Sequence, residues 1–68
     1  MKQIIINTDS QFQHCIETNA IVEALFQGEV SYFGILETFT DATVMFQGGA
    51  YFLRENCEFR MALFLIND

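Results

Sequence analysis

The chain has one histidine, His14, placed directly before one of its two cysteines, Cys15. A thiolate beside an imidazole is the usual nucleophile-and-base pair. Adjacent residues on a helix point about 100° apart, so these two do not face each other. His14 therefore reads as a surface residue and Cys15 as a core one. Cys57, the other cysteine, has no CxxC spacing and no His or Cys companion, so the spacing does not support a zinc site. Both cysteines lie in apolar stretches, where Cys behaves as a small hydrophobe. Without an export signal they are expected to be free thiols.

The remaining candidates for chemistry are equally sparse. No Ser or Thr sits in a recognised nucleophile motif. Gly48-Gly49 lacks the following helix and lysine of a phosphate-binding loop. The nine acids, Asp9, Glu17, Glu23, Glu29, Glu37, Asp41, Glu55, Glu58 and Asp68, are dispersed and show no calcium-loop spacing. No catalytic residue, cofactor or metal is expected, and the chain is not expected to be an enzyme. A small-molecule site would need a cavity with converging polar groups, and nothing in the sequence announces one.

Composition points instead towards surfaces. In 68 residues, 51% are hydrophobic and 18% charged, with eight Phe, two Tyr and no Pro. That is too apolar for disorder. It is also apolar for a single small domain, which buries only about 60% of its unfolded surface. Self-association is one remedy, and a homodimer is expected. The net charge is −6, with only Lys2, Arg54 and Arg60 as bases. Nucleic-acid binding draws on many Lys and Arg contacts to phosphate, so neither direct nucleic-acid binding nor membrane binding is expected. An acidic domain suits a basic protein surface. The acids Glu17, Glu23, Glu29, Glu37 and Asp41 are the candidate partner-binding surface. Ile4 to Ile6 is far short of a secretory core, and Met61 to Ile66 falls well below the ~20 residues that span a bilayer. A cytoplasmic location is expected.

These residues must be positioned by a few elements in one domain spanning residues 1–68. The β-branched run Ile4-Ile5-Ile6 predicts a strand over 2–7. Thr8 and Gln11 fit a capping box, and Phe12, Cys15, Ile16, Val22 and Phe26 fall near one side of a helix. The spacing predicts a helix over 10–27, ended by Gly28, with a break near Thr18-Asn19 where Asn19 could cap a second helix. Strands follow over 30–39, 43–47, 50–54 and 58–67, joined by turns at Thr40-Asp41-Ala42, Gly48-Gly49 and Glu55-Asn56-Cys57.

A two-residue Gly48-Gly49 turn predicts Phe46 opposite Tyr51 and Val44 opposite Leu53. The neighbouring turns predict Leu36 opposite Phe46, Leu53 opposite Phe59, Tyr51 opposite Met61 and Arg54 opposite Glu58. One face then holds Tyr32, Leu36, Val44, Phe46, Tyr51, Leu53, Phe59, Met61, Leu63 and Leu65 and receives the helix. The other holds Phe33, Ile35, Phe39, Met45, Phe52, Phe64 and Ile66. An antiparallel sheet with one wet face should alternate apolar and polar residues, and this one does not. Phe33, Ile35, Met45, Phe52 and Phe64 are the candidate self-association face.

The fold class is α+β: one helix on a mostly antiparallel sheet in β-α-β-β-β-β order. The alternative is a five-stranded SH3-like or Sm-like barrel with an N-terminal helix. The expected function is that of a small acidic regulatory or inhibitory protein. It would bind another protein and compete with nucleic acid for a basic site on that target. The alternative is a structural subunit that self-assembles and inhibits nothing.

Overall fold

The computed structural model describes residues 2–63, with side-chain burial described for residues 4–61. Strand β1 (Lys2–Ile6) leads into helix α1 (Asp9–Thr18). Five strands follow: β2 (Ile21–Phe26), β3 (Glu29–Phe39), β4 (Thr43–Phe46), β5 (Tyr51–Leu53) and β6 (Glu58–Leu63). They form one six-stranded sheet in the order β1-β6-β2-β3-β4-β5, antiparallel at every pairing. The α+β class read from the sequence is the class observed.

The helix begins where the capping box places it. Thr8 Oγ1 accepts from the Gln11 amide at 3.2 Å, and Gln11 Oε1 accepts from the Thr8 amide at 3.2 Å. The Asn7 amide adds a third bond to Gln11 Oε1 at 2.8 Å, so several amides that the helix start leaves unpaired are satisfied locally.

The helix ends earlier than the sequence predicts. Asn19 adopts left-handed backbone (φ 54°, ψ 39°), and the Asn19 and Ala20 amides donate back to the Ile16 and Cys15 carbonyls. These two bonds are the Schellman closure of a helix. The residues beyond, expected to continue the helix, form β2 instead. Ala20, Glu23, Ala24 and Leu25 favour helix intrinsically, but the segment is held between β6 and β3 by pairing on both sides, and tertiary context outweighs propensity. Gly28 is not a helix terminator. With Gln27 it forms the two-residue turn between β2 and β3, at φ 83° and 53°, the positive-φ pair that matches strand twist in a hairpin.

Three further expectations about the strands are corrected. First, the loop between β4 and β5 has three residues, Gln47 to Gly49. The Phe46 amide donates to the Ala50 carbonyl at 2.7 Å, and Gly49 donates to Phe46 at 3.0 Å. Met45 therefore pairs with Tyr51, Val44 with Phe52 and Thr43 with Leu53. A one-residue slip exchanges the faces of a strand. Phe52 points into the core, while Tyr51 and Leu53 point away from it. Second, a bulge between Leu36 and Thr38 keeps Leu36 opposite Phe46, as expected, but turns Phe39 inward beside Phe12. Third, β5 and β6 are not neighbours. β6 lies between β1 and β2, so the expected pairs Leu53–Phe59, Tyr51–Met61 and Arg54–Glu58 do not form.

The sheet curls, bringing the end of β5 to the start of α1 where Arg54 meets Asp9 and Phe12, and the short β5–β6 connection favours this. Only residues 54–57 join β5 to β6. Extended, that connection spans at most about 18 Å, whereas four strand spacings in a flat sheet are about 19 Å. Curling brings the ends together around one core of Ile6, Phe12, Cys15, Val22, Ala24, Leu36, Val44, Phe46 and Phe59. The sheet stays open nonetheless. Among the described residues β1 and β5 pair with one neighbour each and not with one another, so the closed five-stranded barrel does not form.

Arg54 spans the open end. Its Nη1 donates to the Thr40 carbonyl at 2.7 Å and to Asp9 at 3.0 Å, and its Nη2 donates to the Asn7 carbonyl at 3.4 Å. The guanidinium also stacks over Phe12, 4.7 Å from the ring centre. One side chain thus ties the start of α1 to the β3–β4 turn.

Candidate interaction surface

Strand pairing fixes which residues share the face turned away from the helix. On β4 the core takes Val44 and Phe46, so Thr43 and Met45 face outward, with Leu53 and Tyr51 as their partners on β5. On β3 the core side holds Tyr32, Gly34 and Leu36, leaving Phe33 and Ile35 outward. Opposite them on β2 lie Glu23 and Ile21. Arg60 of β6 pairs with Glu23 on one side and with Ile5 of β1 on the other. The outer face is therefore mostly apolar, crossed by one ion pair. Phe33 is 66% exposed, Tyr51 64%, Ile5 51% and Leu53 43%. Single exposed hydrophobics are ordinary, but a contiguous set is the usual mark of an interaction surface.

The ion pair belongs to the face and is partly sheltered by it. Arg60 Nη2 meets Glu23 Oε1 at 3.0 Å, with the two side chains 26% and 18% exposed. Arg60 Nε is buried and has no hydrogen-bond partner. The pair is mutually neutralising, and Glu58, two residues before Arg60 on β6 and exposed, adds one further acid on the same side of the strand.

The expected self-association residues divide accordingly. Phe33, Ile35 and Met45 lie on the outer face. Phe52 does not: it packs inward, its ring 5.7 Å from Tyr32 and 5.8 Å from Phe46. Tyr51 and Leu53, expected in the core, replace it outside. Phe64, together with Leu65 and Ile66, lies outside the described residues. The signal that would have found Tyr51 and Leu53 is Gln47, whose inclusion in the turn decides the parity of β5.

The acids expected to form a partner surface are spread out. Glu17 is exposed near the end of α1 and accepts from Gln13 Nε2 at 3.3 Å. Glu23 is engaged by Arg60 on the outer face. Glu29 opens β3, whereas Glu37 sits at its bulge and Asp41 in the following turn; all three are exposed. Eight residues of strand separate Glu29 from Glu37 by roughly 25 Å. The structure thus gives two acidic locations at opposite ends of β3 and one on the helix.

The nucleophilic groups are held apart from solvent or from each other. Cys15 is fully buried and its thiol donates to Met61 Sδ at 4.0 Å. Cys57 is half-buried, and both are free thiols. Burial pushes both thiols above their ordinary pKa, since removing water disfavours the thiolate. Among the described residues no three or more of His, Cys, Asp and Glu gather to hold a metal. No helix among them is long and apolar enough to cross a membrane.

Two open clefts flank β1. One, about 310 Å³, lies between β1 and the segment carrying Arg54 and Cys57. The other, about 290 Å³, lies between β1 and α1. Comparisons with family models, with curated proteins and with solved structures return no match to this chain.

Proposed function

We propose that the protein is a small acidic regulatory protein that acts by binding other proteins, and that it does so as a homodimer joined through the outer face of its sheet. The observation that carries this reading is the outer face itself. It is apolar across neighbouring strands, left uncovered by the helix, and crossed by a charge pair that is already neutralised. A two-fold interface presents the same patch from both copies, and the pairing of Glu23 with Arg60 lowers the repulsion there between chains that each carry −6. The acids away from that face, Glu17, Glu29, Glu37 and Asp41, then remain available for a basic protein surface and compete there with nucleic acid. A cytoplasmic setting, where thiols stay reduced, suits the two free cysteines.

The test is the solution mass by light scattering on a gel-filtration column across a dilution series. A species of two chains that persists on dilution is expected. The mass of one chain at every concentration overturns the dimer. A mass well above two chains favours a second reading, a self-assembling structural subunit, for which the supporting observation is that β1 and β5 each pair with one neighbour among the described residues.

A further inference from the structure

We propose that the open edge of β1, together with the cleft between β1 and α1, is a binding site for an extended peptide strand. The site is separate from the outer face of the sheet. It would take a segment of a partner protein that is basic and carries an apolar residue at alternate positions.

The edge itself sets the backbone of the occupant. Among the described residues β1 pairs only with β6, in an unbroken register from Lys2 opposite Leu63 to Ile6 opposite Phe59. Its other side presents a row of unpaired amides and carbonyls, which another extended backbone complements. Natural sheet edges are usually blunted by shortness, bulges, proline or several charges. β5, the other edge, is only three residues long. β1 has five residues, no bulge, no proline, and Lys2 as its single charged residue.

The cleft sets the side chains. Ile6 is in the core, so Ile4, two residues away, faces the same side, and both line the cleft with Ser10, His14, Cys15 and Met61. The floor is apolar and sulfur-rich, and the rim is polar. A strand lying against β1 places every second side chain over this floor, and a volume of about 290 Å³ admits one aliphatic side chain of leucine or valine size with room to spare. An edge strand backed by a helix is an established arrangement for strand addition. The charge of the occupant follows from the −6 of the chain, which favours a cationic segment over an anionic one.

The test uses the intact chain and a synthetic peptide, acetyl-Lys-Val-Lys-Leu-Lys-Val-amide, followed by calorimetry and by amide hydrogen exchange. The peptide is expected to bind, to slow exchange in β1, and to bind more weakly when its lysines are replaced by glutamate. Two N-methylated versions, one modified at odd positions and one at even positions, separate strand addition from generic apolar binding. Only one edge of an added strand bonds to β1, so one version is expected to lose at least about tenfold in affinity and the other to retain it. His14→Trp, an exposed position at the rim, is expected to fill the cleft and weaken binding while the circular dichroism stays unchanged. Phe33→Gln on the outer face, which leaves the net charge unchanged, is expected to leave binding intact. No binding at millimolar peptide, equal affinity of the two methylated versions, or sensitivity to Phe33→Gln but not to His14→Trp would each overturn the proposal.

Discussion

Two aromatic clusters of three rings each hold this molecule together, and they are built differently. Beneath the helix, Phe12 meets Phe39 and Phe59, each at 5.6 Å between ring centres. At the other end of the sheet, Tyr32, Phe46 and Phe52 meet at 5.0 to 5.8 Å. The first cluster joins elements from both ends of the sequence and is sealed by Arg54. The second draws all three of its rings from β3, β4 and β5. Gly34 borders it, where an added Cβ would lie 3.4 Å from the Phe46 ring. Only Phe46 of that trio is fully buried; Tyr32 and Phe52 are partly open to solvent. The lesson is that one core has two unequal parts: the helix contributes a ring to the first cluster, whereas the second is built from strand residues whose inward placement depends on register.

The comparison can be broken from either side. Phe12→Ala should be the costliest single change, about 3–5 kcal/mol, because it opens a cavity at the meeting point of α1, β3 and β6 and removes the ring under Arg54. Phe52→Ala should cost less, about 1.5–3 kcal/mol, since that ring keeps some exposure. Urea unfolding of both variants checks the order, and equal costs would erase the distinction between the clusters.

Arg54 comes next. Its pair with Asp9 is not what makes it important, because Asp9 is 64% exposed and exposed pairs contribute at most about 1 kcal/mol. The bond to the Thr40 carbonyl and the stacking on Phe12 cannot be reproduced by a lysine. Arg54→Lys should therefore destabilise by about 1.5–3 kcal/mol and Asp9→Asn by less than about 1 kcal/mol, measured by the same unfolding experiment.

The smallest effects concern the thiols. Iodoacetamide should modify Cys57 well before Cys15, which has no exposed surface. Both folded-state pKa values lie above the ordinary 9.0. Above pH 9 the unfolded chain therefore releases thiol protons that the folded chain retains, and stability falls as pH rises through that range. A Cys15→Ser variant should show a shallower decline above pH 9 than the parent. An identical slope would mean that the Cys15 thiol does not contribute to it.

Local signals were legible in the sequence, and those that depend on parity were not. The capping box at Thr8 and Gln11 is encoded within four residues and forms as read. Asn19, Gly28, Gly48 and Gly49 do interrupt the elements, but in other roles: Asn19 closes α1 rather than capping a second helix, Gly28 makes a hairpin turn rather than ending a helix, and Gly48-Gly49 turn together with Gln47. What lay between two such interruptions was harder. Ala20 to Gln27 has helical composition and becomes a strand because β6 and β3 flank it. The faces of β5 and of the end of β3 turned on single residues, Gln47 in a turn and Glu37 in a bulge, and the neighbouring apolar residues fit either parity. The surplus of apolar surface was legible from composition, but two of the residues that supply it, Tyr51 and Leu53, were not.

A lysine placed at adjacent positions of β5 tests the central claim most directly, with secondary structure and solution mass recorded for each variant. Tyr51→Lys should remain folded and shift the proposed dimer to single chains, because it charges the outer face. Phe52→Lys should unfold it, because it charges the core. A folded Phe52→Lys protein beside an unfolded Tyr51→Lys protein, or a Tyr51→Lys variant that self-associates like the parent, would contradict the account.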